Sequence, residues 1–355
     1  MFSDLLVGEL FQSSSISKRS CMKYLNALFL ISDFIPKEEK SLNAKVSLAI
    51  TKVSNLPRSK QFDLLLGPFF RSVIDRFFLD YYNQRTFNVE SINYLCDVID
   101  SYGLHPSDHT KSNSSLITYF VHSKSTENTH EHATIKKLFS EHMADTVGTV
   151  RCCIVDPEAE HIEMLIKALS LLDKLHPNLA DEITYHVKYI ALIDTLDPNL
   201  RQGYREIAQG VSSHSIPSTC FFSYHSFKSV EILAEAIYHE SLHKKLSNTL
   251  YINNYLKTDI KYSGKFCSHW NKPSPWNSNK WEYDRVLYAN HFYSHLYSLY
   301  KEKVAIDLFG EIARHKTEIY RQRMMDTFEW IQLTGINYLS KSGFVFFNKI
   351  NSMTS

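Results

Sequence analysis

Glycine fills 10 of the 355 positions, roughly 3% where globular chains carry about 7%. A chain this short of the residue that opens left-handed turns can supply neither the many tight hairpins of a large antiparallel sheet nor a glycine-rich phosphate loop, and it is directed toward helices. Hydrophobic residues make up 44%, enough to bury a sizeable core in one large domain or two ordinary ones. Fibrous and wholly disordered readings are thereby excluded. Lys and Arg number 39 against 38 Asp and Glu, a formal net charge of +1. No global basic excess meets a phosphate backbone, so nucleic acid is not the expected partner. The six cysteines form no CxxC pair, and the opening MFSDLLVGELF carries acids in place of a basic leader. The apolar run 24–35 contains Asp33 and falls short of the ~18 residues a membrane span needs. The expectation is a cytoplasmic chain with reduced thiols and no membrane partner.

Apolar periodicity predicts amphipathic helices over 21–35, 42–53, 61–82 and 89–102, punctuated by Pro36, Pro57 and Gly103. Phe69, Phe70, Phe77, Phe78, Tyr81 and Tyr82 recur at helical spacing, which reads as core packing, with an aromatic peptide groove as the alternative. Residues 105–134 are rich in Ser, Thr, Asn and His and read as a loop. Strands are expected over 149–155 and 216–223, and helices over 158–175, 179–196 and 229–249. A helical region follows over 283–339, with a break at Gly310 and a stop near Gly335 or Gly343. The expected fold is mainly α: a multi-helix domain in which a small β element precedes the helix that carries the chemistry. A division into 1–134, a helical region available for peptide recognition, and 135–355 is drawn through the loop, with one continuous domain as the alternative.

The chemistry lies in His239-Glu240-Ser241-Leu242-His243, an HExxH motif. Residues four apart on a helix share a face, so both imidazoles can close on one metal ion while Glu240 stands beside it. Ile232, Leu233, Ala236 and Ile237 are expected to bury the preceding turns, with Lys244 and Lys245 near solvent. Two imidazoles do not complete a site. Leu246 and Thr249 stand where a metzincin has glycine and its third histidine, so the third ligand comes from elsewhere. His269, Glu282, His291 and His295 are the candidates. Asp284, Tyr288, His291 and His295 form one polar stripe on a helix otherwise rich in Leu, Tyr and Phe.

The run IPSTCFFS, the helix ending EAIYHESLHKKL, the segment KPSPWNSNKW and the helix VLYANHFYSHLYSLY together resemble the HExxH-motif peptide-modification proteins associated with biosynthesis of ribosomally made, post-translationally modified peptides (RiPPs). The likeness covers residues 165–300, and Ser274-Pro275-Trp276 is its discriminating element. It departs after Trp276, where family members commonly continue into an Arg-containing, Pro-rich segment and this chain has Asn277, Ser278, Asn279, Lys280 and Trp281. The resemblance implies a non-haem iron, 2-oxoglutarate-dependent dioxygenase, a peptide β-hydroxylase acting on a precursor peptide. It implies Fe(II) held by His239, His243 and His291, with His295 as the alternate third ligand and Glu240 orienting a histidine or water. It also implies a 2-oxoglutarate site drawing on Arg285, Lys280 and Trp276, Arg285 preferred because a guanidinium grips a carboxylate bidentately. Tyr238, Trp276, Trp281 and Tyr288 are then expected around the ligands. The same histidines serve a zinc metallopeptidase in which Glu240 deprotonates a bound water. A non-catalytic peptide-binding protein with a vestigial metal site is the third reading.

Overall fold

The computed structural model describes residues 11–83, 88–102, 119–121, 130–142, 151–207, 210–213, 215–257, 265–271 and 279–352. Among these the fold is mainly α, with fourteen α-helices and seven short strands.

The amino-terminal helices follow the predicted periodicity: α1 (Ser13–Phe34), α2 (Lys40–Asn55), α3 (Arg58–Leu65), α4 (Pro68–Tyr82) and α5 (Val89–Ser101). The single helix expected over 61–82 is divided. Pro68 occupies the first turn of α4, and Gly67 before it is extended at φ −66° and ψ 149°, because a proline ring disfavours helical geometry in the residue it follows. These helices bury a core that includes Leu28, Val46, Leu65, Phe70, Ile74 and Leu95. Phe69, Phe70 and Phe77 are buried in it, whereas Tyr81 and Tyr82 are exposed. Core packing therefore accounts for the first part of the aromatic series.

A small sheet follows, built from β1 (Tyr119–Phe120), β2 (Cys152–Val155), β3 (Tyr189–Thr195), β4 (Gly210–Val211) and β5 (Thr219–Phe222). Between these strands run α6 (His130–His142), α7 (Ala159–Leu175), α8 (Leu179–Thr184) and α9 (Arg201–Ile207). β3 is central, parallel to β1 and β5 and antiparallel to β2, and β4 lies antiparallel on the outer edge of β5. The helix expected over 179–196 is thus corrected to a short helix and a strand. Ile190, Ala191, Leu192 and Ile193 are all fully buried, and a strand covered on both faces gives a continuous apolar run whose period resembles that of a buried helix. Most of the expected loop over 105–134 lies outside the described residues; its described parts are β1 with Val121 and the start of α6.

The chain then passes through a 3₁₀ turn (Tyr224–Lys228) into α10 (Val230–Ile252). Ser229 caps α10, its hydroxyl accepting from Ile232 N–H at 3.2 Å. A two-stranded ribbon of β6 (Phe266–Cys267) and β7 (Lys280–Trp281) precedes α11 (Tyr283–Lys301), α12 (Lys303–Phe309), α13 (Glu311–Leu333) and α14 (Lys341–Ser352). The break at Gly310 is present, with φ +55° between α12 and α13. Gly343 does not stop a helix, since α14 runs through it, and its missing side chain lets α14 rest on the backbone of Tyr255.

α10 is the axle of the molecule, packed against α1, α7, α11, β4 and β5. Leu233, Ile237, Leu242 and Leu246 sit fully inside the main core. The amino-terminal helices are tied to this half by Arg71 Nη1 donating to Asn248 Oδ1 at 3.0 Å, by Ser218 Oγ donating to the Leu66 carbonyl at 2.9 Å, and by Lys188 paired with Asp63 at 2.7 Å. Among the described residues no helix is long and apolar enough to cross a membrane.

A Cβ at Gly343 runs into the Tyr255 carbonyl oxygen, a backbone atom that cannot step aside. Gly343→Ala is expected to destabilise the protein by about 1–3 kcal/mol, read as a lowered midpoint in urea unfolding.

Candidate metal centre

The two motif histidines converge as their spacing predicts. On α10 the Nε2 atoms of His239 and His243 lie 3.0 Å apart, a separation that lets both nitrogens take adjacent corners around one ion with bonds of about 2.0–2.1 Å. α11 runs antiparallel beside them, since Tyr238 meets His295 and Ser247 meets Tyr288. Phe292 stacks on the His239 ring at 4.0 Å and stands edge-on to His243 at 5.2 Å. The Tyr288 ring lies 5.4 Å from that of His243, its hydroxyl fixed to Ser247 Oγ at 2.8 Å. Burial holds the His243 pKa well below the ordinary imidazole value, helped by the charges of His239, His291, Lys244 and Arg285. A neutral ring keeps a lone pair for a metal.

Glu240 completes the group: with His239 and His243 it forms the cluster among the described residues able to hold a metal ion, all three donor atoms lying within 4.8 Å of one another. Its Oε1 is 3.9 Å from His239 Nε2, too long for a direct hydrogen bond but within reach of a water on the same ion. Burial pushes its carboxyl above the ordinary range, against the opposing effects of His239, a Ser212 hydrogen bond and Lys244. Oε2 is buried without a partner among the described residues, the kind of orphan atom that a bound water or ion satisfies. β4 closes over this carboxylate because Gly210 has no side chain: a Cβ there would meet the Phe222 ring at 2.8 Å and Glu240 Cγ at 3.1 Å.

Lys244 and Lys245 do not sit near solvent, as the sequence led one to expect. Both are buried, at 3% and 4% exposure, because α10 continues beyond them to Ile252 and is covered on these faces as well. Lys244 Nζ donates to the carbonyls of Ser213 and Ile216, each at 2.6 Å, and burial pushes the pKa of each lysine down to about 8. One turn before His239, Glu235 accepts from Tyr320 at 2.7 Å and also from Tyr300 and Lys316. Burial alone would raise its pKa, but Lys316 and the two hydroxyls hold it below the ordinary value. α10 is thereby pinned to α11 and α13.

The remaining expected residues are spread around this centre. His291 and His295 are buried at 1% and 0% exposure on α11, and neither belongs to the donor cluster. His291 Nδ1 and His295 Nε2 are both without a partner among the described residues, while His295 Nδ1 meets the Tyr238 hydroxyl at 3.1 Å. Tyr238 therefore faces His295 and not the motif pair. Burial pushes the His291 pKa down to about 3, with Lys245 adding to the shift. Arg285 is exposed, stands 4.9 Å over the Trp281 ring, and lies near enough for its charge to act on His243. Lys280 is exposed on β7, and Trp276 falls outside the described residues. Glu282 is exposed at the start of α11, and exposed His269 faces Asp326 at 3.7 Å. Phe292, Ser212 and Glu235 had escaped the sequence reading. Only Glu235 carried a signal, by preceding His239 by four residues on the same helix face.

No family model matches the chain, and no curated protein matches it.

Replacing either motif histidine by alanine is expected to lower affinity for Fe(II) or Co(II) by about 100-fold or more, since one imidazole cannot hold the ion; equilibrium titration with metal analysis reads this. Glu235→Ala removes the carboxylate shared by Lys316 and two hydroxyls and should cost about 1–3 kcal/mol of stability, measured by chemical unfolding.

Proposed function

We propose that this chain is a non-haem Fe(II), 2-oxoglutarate-dependent oxygenase that hydroxylates a side-chain β-carbon of a ribosomally made peptide. The observation that carries the reading is the 3.0 Å convergence of His239 and His243 on one face of α10. A pair of imidazoles that feels the charge of a guanidinium suits an anionic cosubstrate. His239 and His243 would hold the iron, and the resemblance names His291 as the third donor. His291 and His295 each keep one buried nitrogen without a partner among the described residues, Nδ1 of His291 and Nε2 of His295, so motif position and not the orphan atom favours His291. The His291 ring stands outside the donor cluster, so its recruitment is the part of the reading that metal titration decides. Bound there, Fe(II) with 2-oxoglutarate and dioxygen would supply the oxidising power for C–H hydroxylation, with succinate and carbon dioxide as co-products.

The chain's own residues set the conditions for that reaction. Arg285 receives the far carboxylate of the cosubstrate, Phe292 and Tyr288 hold the imidazoles and exclude water from one flank, and Glu240 orients water from beneath β4. Six free cysteines and ferrous chemistry fit a cytoplasmic setting. One observation favours the zinc peptidase as a second reading: the Glu240 carboxylate lies in the same donor cluster as the two imidazoles, where it could take a proton from a metal-bound water.

The protein loaded anaerobically with Fe(II) and then exposed to dioxygen is expected to consume 2-oxoglutarate when given its precursor peptide, and the peptide to gain the mass of one oxygen atom. Absence of both would overturn the oxygenase. Glu240→Gln separates the readings, because a peptidase loses bond cleavage entirely while an oxygenase retains oxygen insertion. For the third donor, His291→Ala is expected to lose bound metal and His295→Ala to keep it.

A further inference from the structure

His186 lies between α8 and β3 at 2% exposure, and its Nδ1 meets Asn248 Nδ2 at 2.9 Å. The direction of that bond is fixed from the far side of the amide. Arg71 can only donate, and it gives Nη1–H to Asn248 Oδ1 at 3.0 Å, so the amide presents its NH₂ to His186 and the ring nitrogen accepts. Arg71 is itself held: its Nε donates to the Tyr24 hydroxyl at 3.0 Å, and that hydroxyl donates to Asp75. Burial, with the charges of Lys245, His291 and Arg71, keeps the His186 pKa well below the ordinary imidazole value. A neutral ring that accepts at Nδ1 carries its one hydrogen at Nε2. His186 Nε2 is therefore a buried donor, and it has no partner among the described residues.

α11 brings the complement. The contacts of Tyr238 with His295 and of Ser247 with Tyr288 set the antiparallel register of α10 and α11, and His291 falls between them, level with the turn of α10 that leads to Asn248. His291 is close enough for its charge to act on His186. Three buried imidazole nitrogens are orphaned here, His186 Nε2, His291 Nδ1 and His295 Nε2, with the His291 and His295 rings 4.7 Å apart. A metal ion cannot be what joins them, because His186 Nε2 bears a hydrogen and offers no lone pair. An enclosed water accepts as well as donates, and three polar partners are what it requires.

We propose that His186 is a positioning residue for His291, acting through one buried water that accepts from His186 Nε2–H and His291 Nδ1–H and donates to His295 Nε2. So held, His291 keeps the lone pair of its Nε2 for an ion, as a metal-ligating histidine does when its other nitrogen donates to a water or carbonyl. The metal role rests on the reading of His291 as third donor; the hydrogen positions do not.

Long-range proton–nitrogen correlation NMR of the metal-free, full-length chain with labelled histidines provides the first test. It is expected to place the hydrogen at Nε2 of His186 and at Nδ1 of His291, each ring assigned by the loss of its signals in a single variant. Titration with Co(II), followed by its absorption spectrum, is the second. His186→Phe keeps a ring but no donor and is expected to weaken Co(II) binding about tenfold, while His186→Gln, whose amide still donates, should recover most of that loss. In the His291→Ala background His186→Phe is expected to have no further effect, a dependence that a merely structural role would not produce. The proposal is overturned if His291 carries its hydrogen at Nε2, or if His186→Phe binds Co(II) as the wild type does. If the phenylalanine variant does not fold, the hydrogen positions in the wild type still decide. Unchanged Co(II) affinity in His291→Ala would remove the third-donor reading and the positioning role with it, whereas failed 2-oxoglutarate turnover with both tests passed would remove the oxygenase alone.

Discussion

α10 is buried along most of its length, and the rest of the structure answers to that constraint. A helix so enclosed has little room to leave a polar group hydrated, and an unpaired one costs about 1–3 kcal/mol. α10 nonetheless carries Glu235, Glu240, Lys244 and Asn248. Each is met by a different element: Glu235 by α11 and α13, Glu240 by the Ser212 that follows β4, Lys244 by the carbonyls leading into β5, and Asn248 by Arg71 of α4. The polar residues that would penalise a buried helix are therefore what fasten the two halves of the molecule to it. Apolar contacts such as those of Leu242 and Leu246 supply the general attraction, while these pairs set position.

The sequence made the helical class and the motif pair legible because both depend on local spacing. The helices at 42–53 and 89–102 and the metal-facing side of 229–249 needed only a period of 3.6 and a cap. Residues 189–195 were misread because a strand buried on both faces has no alternation to display. Lys244 was misread for a related reason: the two carbonyls that receive its ammonium come from an irregular segment some thirty residues earlier, and no periodicity encodes them. His186 lay beyond reach altogether, since its partner Asn248 stands 62 residues further along the chain and is oriented by Arg71 of α4. The resemblance over 165–300 could suggest the third ligand, but where His291 points depends on the rotation of α11 about its axis, which tertiary packing sets.

The electrostatics of the centre show a division between its two sides. Against the sheet, Glu240 and Lys244 are buried together, each pushed toward its neutral form. Toward the ribbon and α13, Arg285 and Arg323 stand over the aromatic rings of Trp281 and Trp270. The imidazole pair lies between an interior that disfavours charge and a rim that supplies it.

Phe292 carries a further consequence. Packed within 4.0 Å of His239 and 5.2 Å of His243, it denies both imidazoles most of their alternative rotamers as soon as α10 and α11 meet. The freedom that coordination would otherwise take away is already surrendered when the chain folds, so an arriving ion does not have to repeat that loss. The grip of the centre on metal is in this sense partly a property of a hydrocarbon ring that offers the ion no electrons at all.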